Sequence, residues 1–322
     1  MKNLTIKTFI FSTFLMLLWH SFPCAQDFEK TGTTGFVFLE LPATARLQGM
    51  GETGMTLPDA GADGLFVNPA LTALQQQRLA LSVSRANWYV ETSHQAFGLT
   101  YAVPVIGTIG VQAVYFDFGE IEKTKNPGSD QTGSYIDLGT YTAGAYAVGL
   151  SFGRSLTDKF SFGASLKYVR ESIDIYHADN VITDIGFLYQ TGFHSLRIGT
   201  FLQNFGLESN YSQEKFKMPQ ILRMGLSGEL VGSFDDPTRL TLVAEASHPS
   251  DANERIHLGM ESIISNTLIV RAGYKFGYDE ESLCLGGGLR FDLRGTAFGF
   301  DMAYMNHERL DATVRYTLVM EF

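Results

Sequence analysis

The 322-residue chain carries 24 Lys and Arg against 34 Asp and Glu, with 33 glycines and 45% apolar residues. An acidic balance of this size argues against nucleic acid as a partner and against bulk attraction to an anionic surface. Two cysteines, Cys24 and Cys284, allow neither a disulfide framework nor a Cys-based metal cluster once the leader is considered.

In chain order, MKNLTIKTFIFSTFLMLLWHSFPCAQ sets two lysines before a short apolar run that ends in small and polar residues. This reads as a secretory signal peptide over 1–26, cut near Ala25 or Gln26. The alternative, Cys24 as a lipid-attachment site, meets a poor small-residue context in Ser21-Phe22-Pro23. Loss of Lys2 and Lys7 leaves 22 basic against 34 acidic residues, a net charge near −12. No later stretch approaches the roughly 20 apolar residues of a membrane helix.

Next comes GMGETG at 49–54, which fits the G-x-G-x-x-G of dinucleotide sites. That chemistry needs a strand before the first glycine and a helix after the last. Pro42 interrupts the approach and TLPDAGADG breaks any helix after it, so the segment calls for another explanation.

From about Arg78 to Phe322 the apolar residues recur at every second place. In DATVRYTLVMEF, Ala312, Val314, Tyr316, Leu318, Met320 and Phe322 alternate with Asp311, Thr313, Arg315, Thr317, Val319 and Glu321. LIVRAGYKFGY and LCLGGGLRFDL repeat the pattern, with Arg271, Lys275, Arg290 and Asp292 in the polar phase. Period 2 specifies two-faced strands, about fourteen of them, near 77–87, 92–102, 107–117, 137–153, 158–171, 178–190, 195–205, 219–230, 238–247, 253–263, 266–277, 282–293, 295–305 and 310–322. A soluble sandwich buries the apolar face, whereas a membrane barrel turns it to lipid. The connections decide: those after even strands (VPVIG, RSLTD, TGFH, VGSFDDPT, ISNT, LRG) are brief, and those after odd strands include GEIEKTKNPGSDQTGSY, ESIDIYH and GLESNYSQEKFKM. The expectation is an all-β transmembrane antiparallel barrel over 77–322, in the outer membrane of a Gram-negative-type bacterium, with both chain ends periplasmic. Outer-membrane lipids are then its solvent.

TGFVFLELPATARLQGMGETG with DGLFVNPAL, the SLTDKFSFGASLKYV hairpin, LYQTGF, NFG and RAGYKFG are similar to the PorV/PorQ family of outer-membrane proteins. The specific pairing is Ala45, Arg46, Gly49, Met50 and Gly51 with Asn68, Pro69 and Ala70. The family resembles FadL-type long-chain fatty-acid transporters, which implies an N-terminal segment folded into the lumen as a hatch. It also implies a non-catalytic component of protein export or surface attachment of the type IX kind, with a secretion-system or surface protein as partner. The alternative function is passive transport of a hydrophobic small molecule. Residues 27–76 are accordingly expected to form a plug, in which glycines allow close backbone approach and LTALQQQ starts a short helix; a flexible periplasmic tail is the plain alternative, against which stand Phe36, Phe38, Leu41, Leu65 and Phe66.

Other constellations carry less. Gly149 to Gly153 fits G-x-S-x-G around Ser151, but the stretch continues as a strand without the helix of a nucleophile elbow. Six histidines (His94, His177, His194, His248, His257, His307) show no spacing that predicts a catalytic partner. Asp59 with Asp63, and Asp235-Asp236, lack an ordered set of calcium ligands. No catalytic, metal or cofactor residue is therefore assigned. Arg271, Lys275, Arg290, Asp292, Arg315 and Glu321 line the lumen, either as a polar route or as cross-lumen pairs. Trp88, Tyr89, Phe205, Leu207, Tyr211 and Phe216 are candidates for docking a protein or catching a lipid. Tyr316, Leu318, Met320 and Phe322 resemble the C-terminal signal read by the barrel-assembly machinery.

Overall fold

A computed structural model describes residues 32–126, 135–211 and 214–322; the leader, Cys24 and the first residues of the expected plug lie outside them. The strands are β1 Leu79–Asn87, β2 Ser93–Val103, β3 Gly107–Lys125, β4 Ile136–Ser155, β5 Phe160–Ile173, β6 Tyr176–Gln190 and β7 Arg197–Gly206. After a short ribbon, β8 Ser209–Asn210 with β9 Lys215–Phe216, follow β10 Ile221–Val231, β11 Arg239–Pro249, β12 Arg255–Ile264, β13 Leu268–Phe276, β14 Glu281–Leu293, β15 Thr296–His307 and β16 Thr313–Glu321. All but β8 and β9 pair in sequence order, antiparallel, into one closed barrel of fourteen strands. The seam is β1 against β16, with Ala80 opposite Glu321 and Asn87 opposite Val314. Closure removes the open sheet edge that lipid could not satisfy.

The faces are inverted relative to a soluble barrel. On β16, Thr313, Arg315 and Thr317 are buried while Tyr316 and Leu318 are exposed; on β13, Arg271 and Lys275 are buried while Val270, Tyr274 and Phe276 are exposed. Leu283, Leu285, Leu289 and Phe291 of β14 also stand outside. An exterior this apolar, on strands whose polar residues point inward, is the pattern of a lipid-facing wall.

The long-loop reading needs one correction. The first seven residues of GEIEKTKNPGSDQTGSY belong to strand, because β3 and β4 run for 19 and 20 residues and stay paired to Lys125 and Ile136 through two register shifts; residues 127–134 lie outside the described residues. ESIDIYH likewise collapses to a turn at Asp174 and Ile175 between β5 and β6, Asp174 taking a left-handed φ of 54°. Backbone pairing of β3 with β4 and of β5 with β6 extends the wall past the rim through these strand ends.

The N-terminal segment lies inside the barrel. It holds single turns at Val37–Glu40, Ala45–Gly49, Gly61–Asp63 and Gly64–Val67, and a 3-10 stretch at Pro69–Leu74. The helix expected in LTALQQQ is this last stretch, started by Pro69 and capped by the Asn68 side chain, which accepts from the Ala70 amide at 3.0 Å. The segment begins at the long-loop end, where the Gly35 amide donates to the Lys217 carbonyl at 3.1 Å. It finishes at the opposite end, where Gln75 accepts from Thr100 at 2.5 Å before β1 begins. Gly35 thus lies at the long-loop end and Phe322 at the short-turn end of the barrel; residues 1–31, on which the expectation for the first chain end falls, lie outside the described residues.

Candidate functional site: the plug and its seat

Both plug motifs rest on glycines of the wall. A Cβ on Gly273 would come within 2.1 Å of the Met50 carbonyl carbon and 2.2 Å of the Gly51 nitrogen, and one on Gly259 within 2.0 Å of Thr53 Oγ1. The Asn68-Pro69-Ala70 turn is seated in the same way, 2.2 Å from a Cβ on Gly163 and 1.9 Å from one on Gly186. Gly49 faces Gly286, its own Cβ position being 2.9 Å from the Gly286 Cα. The glycine-rich inner phase thus lets plug backbone lie directly on strand backbone. Asn68 completes the seat by donating from Nδ2 to the carbonyls of Met55 (3.0 Å) and Phe187 (3.2 Å).

Arg46 is the main polar anchor. Its Nε and Nη2 bind both oxygens of Glu261 on β12 at 3.0 and 2.7 Å, and it also holds Asp59 of the plug at 2.7 Å. Such a fork matches carboxylate geometry. Asp59 in turn accepts from Arg239 at 2.6 Å. Glu261 accepts from Arg271 at 2.6 Å, and Arg271 and Arg290 share Asp301 at 2.6 and 2.7 Å. Burial would raise the Asp59 carboxyl, but Arg46 and Arg239 together hold it well below the usual range.

Nearer the long loops, Lys275 donates to Glu52 at 2.5 Å and also to Glu281, with Arg223 3.6 Å from Glu52. Burial opposes the Glu52 charge, yet Lys275 and then Arg223 bring its carboxyl down to about 2. Glu40, at the head of the plug, is different. Burial, reinforced by Asp251, pushes its carboxyl up to about 7, against a single pairing with Arg255 at 3.7 Å.

Of the six lumen charges read from sequence, Arg271, Lys275 and Arg290 pair within the lumen. Arg315 is buried without a carboxylate, bound by Gln48, the Ala43 carbonyl and His94. Asp292 is exposed near the last short turn, and Glu321 is partly buried beside Gly61. Asp59 and Asp63 do not form a calcium pair, since arginines take the first and Ser82 donates to the second at 2.6 Å. Ser151 sits within β4, bonded to Ser165 and Gln112 at 2.8 and 3.1 Å, so no elbow forms.

The loop aromatics turn inward. Trp88 is 6% exposed and packs edge-on against His307 at 6.0 Å; Tyr89 meets the same ring at 5.6 Å. Tyr211 stacks on Phe216 at 5.3 Å, and Phe216 meets Phe36 of the plug at 5.8 Å. With Phe38, Leu39, Phe116, Met218 and Met305 these residues form an apolar cluster over the plug head. Only Phe205 and Leu207 of the six point outward, at 53% and 83% exposure. Tyr316, Leu318 and Phe322 stand on the outer face, while Met320 is half-buried, and Phe322 closes the seam through two backbone bonds to Leu79.

Cavities among the described residues flank the plug. A small one of about 40 Å³ lies between Phe38, Leu39, Leu65 and Phe66 of the plug and a wall that presents Val114 and Ala147 together with Gln112, Gln203 and the Lys167–Asp184 pair. A vestibule of about 1240 Å³ opens at the short-turn end and is lined largely by charged and polar side chains. Phe234 stands there between the guanidinium groups of Arg197 and Arg239, 5.5 and 5.0 Å from the ring centre.

Among solved structures, the chain is similar to the CymD monoaromatic hydrocarbon channel (TM-score 0.58, 14% identity, 90% of this chain and 99% of that one). It is also similar to the Pseudomonas putida toluene transporter TodX (0.61, 11%, 88% and 99%) and to a Pseudomonas aeruginosa FadL homologue (0.57, 12%, 87% and 98%). At such identities the likeness is one of fold. No protein-family model matches the chain, and neither does any curated protein. The FadL side of the sequence resemblance thus has structural counterparts, whereas nothing found here points to PorV/PorQ.

Proposed function

We propose that the chain is a non-catalytic, passive outer-membrane channel for hydrophobic small molecules, with the N-terminal plug as its gate and the short-turn end facing the periplasm. The observation that carries this reading is the inward turn of Trp88, Tyr89, Tyr211 and Phe216 onto the plug head. A protein-docking surface would leave these rings outside; a trap for apolar solutes puts them over the lumen. The apolar cluster adjoins the cavity beside the plug, and the far side is a polar vestibule that binds an apolar solute weakly. Entry favoured by burial and exit favoured by weak binding is what conduction requires. The printed descriptions of CymD and TodX, a hydrocarbon channel and a toluene transporter, agree with that solute class.

The export reading retains Phe205 and Leu207 as outward apolar tips. Purification from outer membranes in mild detergent, with mass spectrometry of co-purifying lipids and proteins, separates the two. A bound hydrophobic small molecule with no stoichiometric protein supports the channel; a stoichiometric protein partner and no ligand overturns it.

A further inference from the structure

The outer face of β1 carries Leu79, Leu81 and Val83 and then, toward the long loops, Arg85 and Asn87. Arg85 is exposed on the side of the strand that faces lipid, and its guanidinium meets no carboxylate among the described residues. A cation facing lipid is costly at the bilayer midplane and nearly free at its edge. Arg85 therefore marks the level at which hydrocarbon gives way to headgroups on the wall formed by β16, β1 and β2.

Cross-strand register sets what lies beside it. Arg85 is opposite Tyr316 of β16 and Gln95 of β2, and Gln95 is opposite Tyr115 of β3. The side chains of Gln95 and Tyr115, like that of Arg85, have no hydrogen-bond partner among the described residues. Unused donors thus stand side by side on neighbouring strands about 4.8 Å apart. One row nearer the short turns, the same wall presents Leu318, Val83 and Phe97, again opposite one another and all exposed. Donors above an apolar strip match a lipid with an anionic head. Asp117 of β3 lies one row further toward the loops and accepts from the Gly119 amide at 3.0 Å, whereas Arg170, outward on β5, already faces Asp179 at 3.7 Å.

We propose that Arg85, with Gln95, Tyr115 and Tyr316, forms a surface site for the phosphate of an outer-leaflet phosphorylated glycolipid, whose acyl chains lie on Leu318, Val83 and Phe97. The inference is independent of what the lumen conducts and rests only on the membrane orientation given above. A phosphate accepts from the guanidinium in a charge-assisted bond that suits its planar fork, and from the Gln95 amide, while the tyrosine rings sit at headgroup level. The chain as a whole is acidic, with 24 Lys and Arg against 34 Asp and Glu, so long-range attraction does not assist and the recognition is local. Because the site spans β16, β1 and β2, one bound lipid bridges the strands that close the barrel.

The test is a titration of the purified, detergent-solubilised protein with bisphosphorylated lipid A and with the same lipid stripped of its phosphates, read by native mass spectrometry. Charge-assisted bonds predict a preference for the phosphorylated form of about tenfold or more in the wild type. Arg85→Gln should bind the two forms equally, whereas Arg154→Gln, at an exposed position near the short-turn end of β4, should keep the preference. Equal wild-type affinities, a preference that survives in Arg85→Gln, or one lost alike in both variants would overturn the inference while leaving the channel standing. A preference lost in Arg154→Gln and kept in Arg85→Gln would overturn the orientation as well. Capture of a second copy of the chain in place of lipid would also overturn the inference. The wild-type comparison needs no variant.

Discussion

Gly273→Ala places one methyl group where the plug touches the wall. The new Cβ would stand 2.1 Å from the Met50 carbonyl carbon, and ordinary contact begins near 3.4 Å, an overlap of about 1.3 Å against backbone. The wall cannot yield, because β13 is paired on both sides, Gly273 with Gly259 and with Cys284. The plug must shift by about that distance, which spoils the Lys275 to Glu52 and Arg46 to Glu261 bonds on either side. Overpacking of this kind costs about 1–3 kcal/mol. It should accelerate amide exchange in residues 46–57 by about 5- to 150-fold while the barrel strands keep their protection. Hydrogen exchange with mass spectrometry measures it. Gly287→Ala, whose Cβ meets only the Ile269 carbonyl at 3.7 Å, is the control. Exchange in Gly273→Ala equal to that of wild type and control would refute a plug seated on wall glycines.

The remaining expectations follow from other contacts. Arg46→Met leaves Glu261 with Arg271 alone and Asp59 with Arg239 alone, removing the only side-chain tie from the plug helix to Glu261 among the described residues, and should raise the ion conductance of the reconstituted barrel. Glu40 has a folded carboxyl near 7 against 4.5 in the open chain, so its burial is fully tolerated below pH 4.5 and becomes progressively unfavourable as pH rises to about 7. The protection factors of residues 36–41, exchange corrected for its intrinsic pH dependence, should therefore fall across that window, and Glu40→Gln should flatten the fall; pH-independent protection in the wild type would contradict the assignment. Phe38→Ala removes a 4%-exposed ring from the cluster and should weaken binding of a hydrophobic solute at least tenfold by equilibrium titration. Deletion of Phe322 removes both backbone bonds to Leu79 at the seam and should lower the amount of heat-modifiable, folded barrel in outer membranes.

The barrel was legible because a lipid-facing wall imposes period 2 on every strand: β16 and β13 alternate residue by residue as their sequences do. Its loop ends were less so, since charged residues such as Glu120 and Lys123 suit a rim hairpin as well as a loop, and pairing alone extends β3 and β4. Arg46 and the Asn68-Pro69-Ala70 turn were visible as motifs, but their seats were not. Glu261 lies 215 residues from Arg46, and nothing local distinguishes it from any other inward carboxylate. Gly163, Gly186, Gly259 and Gly273 look like generic lumen glycines until plug backbone is seen against them. Glu52 and Gln48 escaped notice altogether, and His94 was weighed only as a base without a partner, because a single polar residue in an apolar or glycine-rich stretch reads as solvated unless the fold buries it. The inward turn of Trp88 and Tyr211 depends on the plug head reaching the long-loop end, which strand periodicity does not encode.

The most direct test of the account is uptake into proteoliposomes of a radiolabelled hydrophobic solute beside a hydrophilic sugar of similar size. The account predicts saturable entry of the hydrophobic solute, well above that through protein-free liposomes, with the sugar excluded by the plug. Entry of the sugar at a comparable rate, or hydrophobic uptake no faster than through bare lipid, would contradict it.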